Sequence, residues 1–225
     1  LSFQVSPDTG LHPIITMTNF IKIIDNAFGN KLCEDLITYY TNNQQLSVTQ
    51  DYADIDLVQV NNVRASDIFL NPNIKQQSDL ITRCQTSLQK VVDEYTKIVP
   101  TFTSQMDQGL TLRKIFGATR PHQDGVYCSD KYGDVYERKL SIIVGLNSNF
   151  EGGEFYFPLQ DFKTHVKKGQ AICFPPYFTH PHRVQEPTEG TYRYTINTWL
   201  VEFPPRKVYV EEAKRPPSVH PSGDA

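Results

Sequence analysis

Two separated stretches carry histidine and aspartate side chains with the types and spacing of a metal site. His122 and Asp124 stand two positions apart, and in an extended strand that spacing places both side chains on one face. A histidine later in the chain, near His182, would add a second neutral imidazole. Two imidazoles and one carboxylate on one side of a metal leave about three of six octahedral positions open, which is typical of non-haem Fe(II) sites that bind a co-substrate and dioxygen.

Taken alone, each half of this pattern has an ordinary interpretation. Asp124 and Gly125 are also typical turn residues. His180 and His182 both follow an apolar stretch and a proline-containing loop, so the spacing leaves either of them as the third ligand. The remaining histidines are expected at solvated surface positions in the termini or on a polar strand edge: His12, His165 and His220.

A second cluster of polar residues alternates along the stretch 191–203. Arg193, Thr195, Asn197 and Trp199 fall on one face of a predicted strand. An arginine on a face directed at a core is costly unless an anion pairs with it. A small dicarboxylate would supply that anion through a bidentate contact. The alternative is a surface strand on which Arg193 points outward.

The strands that must position these residues are short and closely spaced from residue 110 onward. Turn residues separate predicted strands at 110–116, 121–126, 139–146, 154–158, 170–175 and 191–203. Many short strands without helices between them predict a sandwich, a barrel or a jelly roll.

The stretch before residue 110 is predicted to support this core. The expected elements are a strand at 20–24, a helix at 31–40 capped by Asn30, loops with one edge strand over 41–74, and a helix at 76–99 ended by Pro100. We expect residues 1–109 to be a strand and helix support within the same domain, 110–203 to form the core, and 204–225 to form a proline-rich extended tail.

Composition excludes several classes of protein. The net charge of −3 and the absence of a large basic block argue against a nucleic-acid binder. No apolar run is long enough to span a membrane. The four cysteines, Cys33, Cys84, Cys128 and Cys173, show no CxxC spacing, so we expect a reducing, intracellular and therefore cytoplasmic setting.

Residues 110–201 resemble the catalytic core of the 2-oxoglutarate- and Fe(II)-dependent oxygenases, in their prolyl 4-hydroxylase-like branch. The matching segments follow the order of that family: His122-Gln-Asp124, Gly145-Leu-Asn147, 150–155, 168–175, His182-Arg-Val184 and Arg193-Tyr-Thr-Ile-Asn-Thr-Trp199.

The resemblance implies a mainly β protein whose double-stranded β-helix (a cupin-like jelly roll) is packed by N-terminal helices. It implies His122, Asp124 and His182 as metal ligands, with His182 preferred over His180 because the last ligand of the family opens a His-x-Val strand. Arg193 would pair with the distal carboxylate of 2-oxoglutarate, and Thr195 would be a hydroxyl partner. The implied cofactors are Fe(II), 2-oxoglutarate and O2, with ascorbate as a candidate reductant.

Two departures from the family pattern affect this assignment. The turn at 186–190 must absorb a slightly long interval between His182 and Arg193. The tyrosine that some members place near Gly145 is absent, which leaves the second co-substrate anchor unassigned. The tyrosines of the expected substrate lid, 125–138, are Tyr127, Tyr132 and Tyr136.

The resemblance makes hydroxylation of a prolyl residue in a peptide or protein the leading interpretation, with a peptide or small molecule as substrate. A hydroxylase of a free amino acid is an alternative within the same class. A non-catalytic cupin-like module that binds a metal or another ligand is an alternative outside it. A metal-dependent hydrolase would fit the ligands, but no general base is evident beside them and Arg193 would be unexplained.

Overall fold

The strands of this protein form two antiparallel sheets. The computed structural model describes residues 20–51, 63–104, 106–129 and 135–203. In these residues the larger sheet contains β1 (Lys22–Ile24), β2 (Val48–Asp51), β3 (Val63–Phe69), β4 (Met106–Asp107), β5 (Thr111–Ile115), β7 (Tyr127–Ser129), β8 (Val135–Gly145), β11 (Ala171–Phe174) and β13 (Arg193–Glu202). The smaller sheet contains β6 (Thr119–His122), β9 (Phe155–Phe157), β10 (Phe162–Thr164) and β12 (His182–Val184).

The strand order confirms the predicted jelly roll. The larger sheet runs β1-β11-β8-β13-β5-β3-β2, with β4 on β13 and β7 on β8. The smaller sheet runs β10-β9-β12-β6. Strands distant in sequence are neighbours in both sheets, for example β5 beside β13 in the larger sheet and β6 beside β12 in the smaller one. Strands of the first hundred residues join the same larger sheet.

Alternation along β8 divides the molecule into two cores. Leu140, Ile142 and Val144 are fully buried on one face, where they belong to a cluster that includes both helices, α1 (Asn30–Asn42) and α2 (Lys75–Thr96). The helices contribute apolar stripes at helical spacing: Leu32, Leu36, Leu80, Cys84, Leu88 and Val91. The helices therefore cover the outer face of the larger sheet and leave its inner face to the smaller one.

The inner layer between the sheets is aromatic at one end. Phe155, Phe157 and Phe174 are fully buried there together with Ile172. Each such side chain contributes about 1.5–3 kcal/mol by leaving water. This packing fixes the distance between the two sheets beside the predicted site.

The two predicted helices are confirmed, but their ends differ from expectation. Asn30 is the first helical residue rather than the cap, and Gly29 occupies the cap position without a side-chain hydrogen bond. The second helix ends at Thr96, before Pro100. Its last turn continues as bonds from the amides of Ile98 and Val99 to the carbonyl of Tyr95. Proline disfavours the helical conformation at the residue before it, so the chain leaves the helix early.

The prediction of loops and one edge strand over 41–74 is only partly right, because β2 is the edge strand but a second strand, β3, was not predicted. Strands β2 and β3 pair with each other, and β3 lies between β2 and β5 inside the larger sheet. The charged Asp67 in the middle of β3 interrupts the apolar pattern by which a strand is predicted. This residue is nevertheless completely buried, because it pairs with an arginine of β5.

Within the range predicted as a substrate lid, 125–138, β7 pairs with the start of β8, and the role of this range as a lid stays a prediction. None of the described helices is long and apolar enough to span a membrane. The expected tail, His12, His220 and Tyr132 lie outside the described residues.

Candidate active site

The two histidines of the predicted site lie directly opposite each other on adjacent strands. His182 in β12 is the register partner of His122 in β6, and their ring centroids are 4.4 Å apart. Phe174 and Phe157 pack against the ring of His182, with centroids at 4.6 and 5.3 Å. The pairing of β6 with β12 therefore brings together two side chains that are far apart in sequence.

Backbone carbonyls orient both imidazoles in the same way. Nδ1 of His122 lies 2.8 Å from the carbonyl oxygen of Arg120. Nδ1 of His182 lies 3.2 Å from the carbonyl oxygen of His180. A carbonyl only accepts, so each Nδ1 carries the proton and donates. Each Nε2 is left with a lone pair, which is the arrangement that metal-binding histidines require.

Asp124 completes the cluster from a loop rather than from a strand. Strand β6 ends at His122, so the expectation that both residues share one face of a strand is wrong. The position of Asp124 depends on tertiary contacts: Arg138 Nη1 donates to its carbonyl oxygen at 2.5 Å, and the amide of Gly125 donates to the carbonyl of Pro176. Its Oδ1 lies 3.6 Å from Nε2 of His122 and 3.9 Å from Nε2 of His182.

The pKa values in this cluster follow from burial and from these contacts. Burial acts to raise the pKa of Asp124, but His122, His182 and two further donors outweigh it and hold that pKa well below its usual range. Contact with Asp124 raises the pKa of His122 above 6.5. Burial lowers the pKa of His182. The carboxylate is therefore anionic at neutral pH, and His182 is neutral.

Arg193 lies on the inner face of β13 and is only 4% exposed, so the alternative of an outward-pointing arginine is wrong. Its Nη1 donates to the carbonyl of Gly153 at 3.2 Å, and its Nε has no hydrogen-bond partner among the described residues. Burial, with the charge of Arg113, lowers its pKa to about 9. A buried guanidinium without a carboxylate partner among the described residues favours the binding of an anionic ligand.

One cavity of about 230 Å³ connects the triad with this arginine. His122, Asp124, His182 and Arg193 all line it. At about 30 Å³ for each water molecule, this volume accommodates several waters or one small dicarboxylate. The cavity therefore offers metal-binding atoms on one side and a cation on the other.

Thr195 occupies the predicted face but is already engaged. Its hydroxyl donates to Oδ1 of Asn197 at 2.6 Å, and both residues are buried. Asn197 itself lines the cavity. The co-substrate role expected of Thr195 stays a prediction.

His180 and His165 lie apart from the triad. Nδ1 of His180 contacts the hydroxyl of Thr179 at 2.9 Å, and its ring lines a different pocket. His165 is exposed, as predicted, and lies 3.9 Å from Glu154.

Sequence reasoning missed the contribution of Arg113 to this cavity. Arg113 lines it opposite Thr195, and donates through Nε and Nη2 to both oxygens of the buried Asp67, at 2.7 and 2.6 Å. The available signal was the alternation of β5, which turns Arg113 inward together with Thr111 and Ile115.

Comparisons with known proteins agree with this geometry. Residues 112–201 match the family described as the 2OG-Fe(II) oxygenase superfamily. No curated protein sequence matches the chain.

The solved structures that resemble it include a viral collagen prolyl hydroxylase from Paramecium Bursaria Chlorella virus-1 in complex with 2OG. That protein is 17% identical, with a TM-score of 0.59 over 83% of this chain and 98% of the other. A Trichoplax adhaerens prolyl hydroxylase with a hypoxia inducible factor peptide is 18% identical, with a TM-score of 0.58 over 81% and 84% of the two chains. A Pseudomonas putida prolyl-4-hydroxylase is 13% identical, with a TM-score of 0.54 over 80% and 91%.

This chain carries a 2OG-Fe(II) oxygenase domain over residues 112–201, and its fold resembles that of the prolyl hydroxylases. It is a 2-oxoglutarate-dependent dioxygenase, and its cofactors are Fe(II), 2-oxoglutarate and O2. The residues present fit these groups. One ligand atom from each of the two histidines and one from the aspartate lie within 4.8 Å of one another. Arg193, whose Nε has no hydrogen-bond partner among the described residues, lines the same cavity.

Proposed function

We propose that this protein hydroxylates a prolyl residue in a peptide or protein. The reaction consumes a C–H bond, O2 and 2-oxoglutarate and yields C–OH, succinate and CO2. The observation that carries the proposal is the shared cavity, which is lined both by the triad and by a buried arginine that has no carboxylate partner among the described residues. The prolyl substrate is supported by the similarity of the fold to three prolyl hydroxylases.

Within this proposal, His122, Asp124 and His182 hold the iron. Bound Fe(II), together with 2-oxoglutarate and O2, supplies the oxidant that converts the C–H bond to C–OH. The two imidazoles bind through Nε2, because their Nδ1 protons are donated to carbonyls. Asp124 supplies the negative charge and remains ionised at neutral pH.

Arg193 binds the distal carboxylate of 2-oxoglutarate. Its Nε has no partner among the described residues, and its Nη1 is held only by a carbonyl. A carboxylate would accept from the guanidinium through charge-assisted bonds that are about twice as strong as neutral ones. The aromatic ring of Phe155, 5.0 Å from the guanidinium carbon, excludes water from one side of it. Thr195 stands next to it as the proposed hydroxyl partner.

The test is succinate formation in the presence of Fe(II), 2-oxoglutarate and ascorbate, with proline-containing peptides, the same peptides with alanine in place of proline, and free proline. We expect succinate and hydroxyproline to rise together with the proline-containing peptides. Hydroxylation of free proline alone would favour the free amino acid alternative. No succinate above the blank under any of these conditions would contradict the proposal.

His180→Ala and His182→Ala form a matched pair for the ligand assignment. The two residues are both buried and stand two positions apart. We expect His182→Ala to abolish turnover, and His180→Ala to retain it. The reverse result would assign the third ligand to His180.

A further inference from the structure

The two oxygens of the Asp124 carboxylate have different surroundings. Oδ1 faces the Nε2 atoms of both triad histidines, at 3.6 and 3.9 Å. Oδ2 accepts two hydrogen bonds from the other side, from Ser141 Oγ at 2.5 Å and from Trp199 Nε1 at 3.0 Å. The carboxylate is therefore fixed in rotation before any metal arrives.

We propose that Ser141 and Trp199 are positioning residues that reserve Oδ2 and present only Oδ1 to the metal. This inference rests on the proposed function, because it assigns Asp124 as a ligand. A carboxylate with both oxygens available can bind a metal through either or both of them. Because Oδ2 already accepts two hydrogen bonds, it is less available as a second ligand atom for the metal. A coordination position on the metal then stays open for the co-substrate and O2.

The pairing of β8 with β13 explains why these two donors reach the same carboxylate oxygen. Ser141 in β8 and Trp199 in β13 are direct register partners, so their side chains point to the same face of the sheet, about 4.5–5.5 Å apart at Cβ. Ser141 is 1% exposed. The donors belong to the two longest strands of the larger sheet. The two hydrogen bonds to Oδ2 are therefore made by rigid strands rather than by a loop.

Arg138 holds the indole and the aspartate backbone together. Its guanidinium carbon lies 4.1 Å from the centre of the Trp199 ring. Its Nη1 donates to the carbonyl oxygen of Asp124, and its Nε donates to Oε1 of Gln108 at 2.8 Å. Arginine stacks on indole through its planar face while its edge donates hydrogen bonds. Arg138 therefore fixes both the donor and the backbone of the residue that accepts from it.

Removing one partner of a metal ligand typically costs 10–100-fold in metal affinity. We expect Trp199→Phe and Ser141→Ala each to weaken Co(II) binding by about tenfold or more. Arg138→Lys keeps the charge but loses the planar stack, and we expect a smaller loss of affinity in the same direction. The double variant Ser141→Ala/Trp199→Phe should show the largest loss.

The experiment titrates each purified protein with Co(II) in the absence of 2-oxoglutarate and follows the visible ligand-field spectrum, which reports both affinity and coordination. Thermal unfolding of the same samples without metal separates lost folding from lost binding. Ser87→Ala is the matched control for Ser141→Ala, since its hydroxyl donates to a carbonyl within α2. Arg183→Lys is the control for Arg138→Lys, since Arg183 lies 5.2 Å from the Tyr156 ring, on a different strand.

The indole N–H gives a second readout that does not depend on metal affinity. Trp199 is the single tryptophan of the chain, so its indole proton gives one resonance. We expect that proton to exchange slowly with solvent in the wild type and to exchange faster in Asp124→Ala, which removes its acceptor.

Two results would overturn the inference. One is Co(II) affinity and spectrum in folded Ser141→Ala that match those of Ser87→Ala. The other is an indole proton that exchanges equally in the wild type and in Asp124→Ala. If Trp199→Phe does not fold, Ser141→Ala decides the question alone. A wild-type protein that binds no Co(II) would instead contradict the proposed function, so the two failures are distinguishable.

Discussion

As a proposed metal ligand, His122 is the residue whose titration should link metal binding to pH. Its pKa is raised above 6.5 by Asp124, whereas burial lowers the pKa of His182. A metal binds only the neutral imidazole, so binding must displace the proton that Asp124 stabilises on His122. Metal affinity is then independent of this titration above the raised pKa of His122, and it falls about tenfold for each pH unit below that pKa.

We therefore predict that metal binding at pH 6.5 releases more than half a proton per metal and that this number declines as pH rises. Calorimetric titration with Zn(II) in buffers of different ionisation enthalpy measures the proton count. His165→Ala removes an exposed histidine outside the triad and should leave the count unchanged. A count near zero at that pH would show that His122 is already neutral or is not a ligand.

The types of the site residues could be predicted from the sequence better than their surroundings. His122, Asp124, His182 and Arg193 were all predicted, and in the structure they line one cavity. Spacing alone left His180 and His182 open, and the family resemblance favoured His182. The reason given for Asp124 was wrong, since it lies beyond the end of β6. The contact between Ser141 and Asp124 was not predicted. It depends on which strands pair and in which register, and the sequence of a single strand does not show either.

At the scale of elements, the turn at Gly152 and Gly153 fixes the guanidinium of Arg193. Gly153 has φ +70°, and an added Cβ would meet the Phe150 ring at 2.9 Å and Cδ of Arg193 at 3.4 Å. Gly190 has φ +81° and open space around the same position. Alanine at either glycine costs roughly 1–2 kcal/mol of backbone strain, but only one of them disturbs the arginine.

We predict that Gly153→Ala weakens 2-oxoglutarate binding whereas Gly190→Ala does not, although both lower the free energy of unfolding. Equilibrium binding of 2-oxoglutarate to the metal-loaded proteins, together with urea unfolding, measures the two effects. Equal 2-oxoglutarate affinity in the two variants would show that the turn does not position Arg193.

The pairing of β3 with β5 depends on a buried ion pair. Asp67 is completely buried and accepts two hydrogen bonds from Arg113. We predict that Asp67→Asn lowers the free energy of unfolding by about 3–5 kcal/mol, because it leaves the arginine without its charge partner. Asp35→Asn breaks the more exposed ion pair with Arg83 at 2.7 Å and should cost at most about 1 kcal/mol. Similar losses for both variants in urea unfolding would contradict the importance of burial.

The same pair explains why β3 escaped prediction. A strand is recognised by alternating apolar residues, and β3 instead carries charged residues at Arg64 and Asp67. The charge is compatible with a sheet interior only because Arg113 in another strand neutralises it, which the sequence of β3 cannot show. The long apolar stripe of α2 and the β-branched run of β8 needed no such partner and were predicted correctly.

At the scale of the whole molecule, the helices cover one face of the larger sheet so that the other face can carry polar chemistry. Packing on the outer face stabilises the sheet through residues such as Leu140, Ile142 and Val144. This stabilisation offsets the cost of burying Arg193 on the inner face, where its charge has no carboxylate partner among the described residues. This division predicts that the metal and the distal carboxylate of the co-substrate are bound by different residues of one cavity.

The most direct test is anaerobic addition of Fe(II) and then 2-oxoglutarate to the wild type, Asp124→Ala, Arg193→Ala and the surface control Arg183→Ala. A 2-oxo acid chelated to Fe(II) gives a weak visible charge-transfer absorption. We predict this absorption in the wild type and in Arg183→Ala, and its loss at the same ligand concentrations in Asp124→Ala and Arg193→Ala. A wild-type protein without the absorption, or an Arg193→Ala protein with the same 2-oxoglutarate affinity as the wild type, would contradict the account.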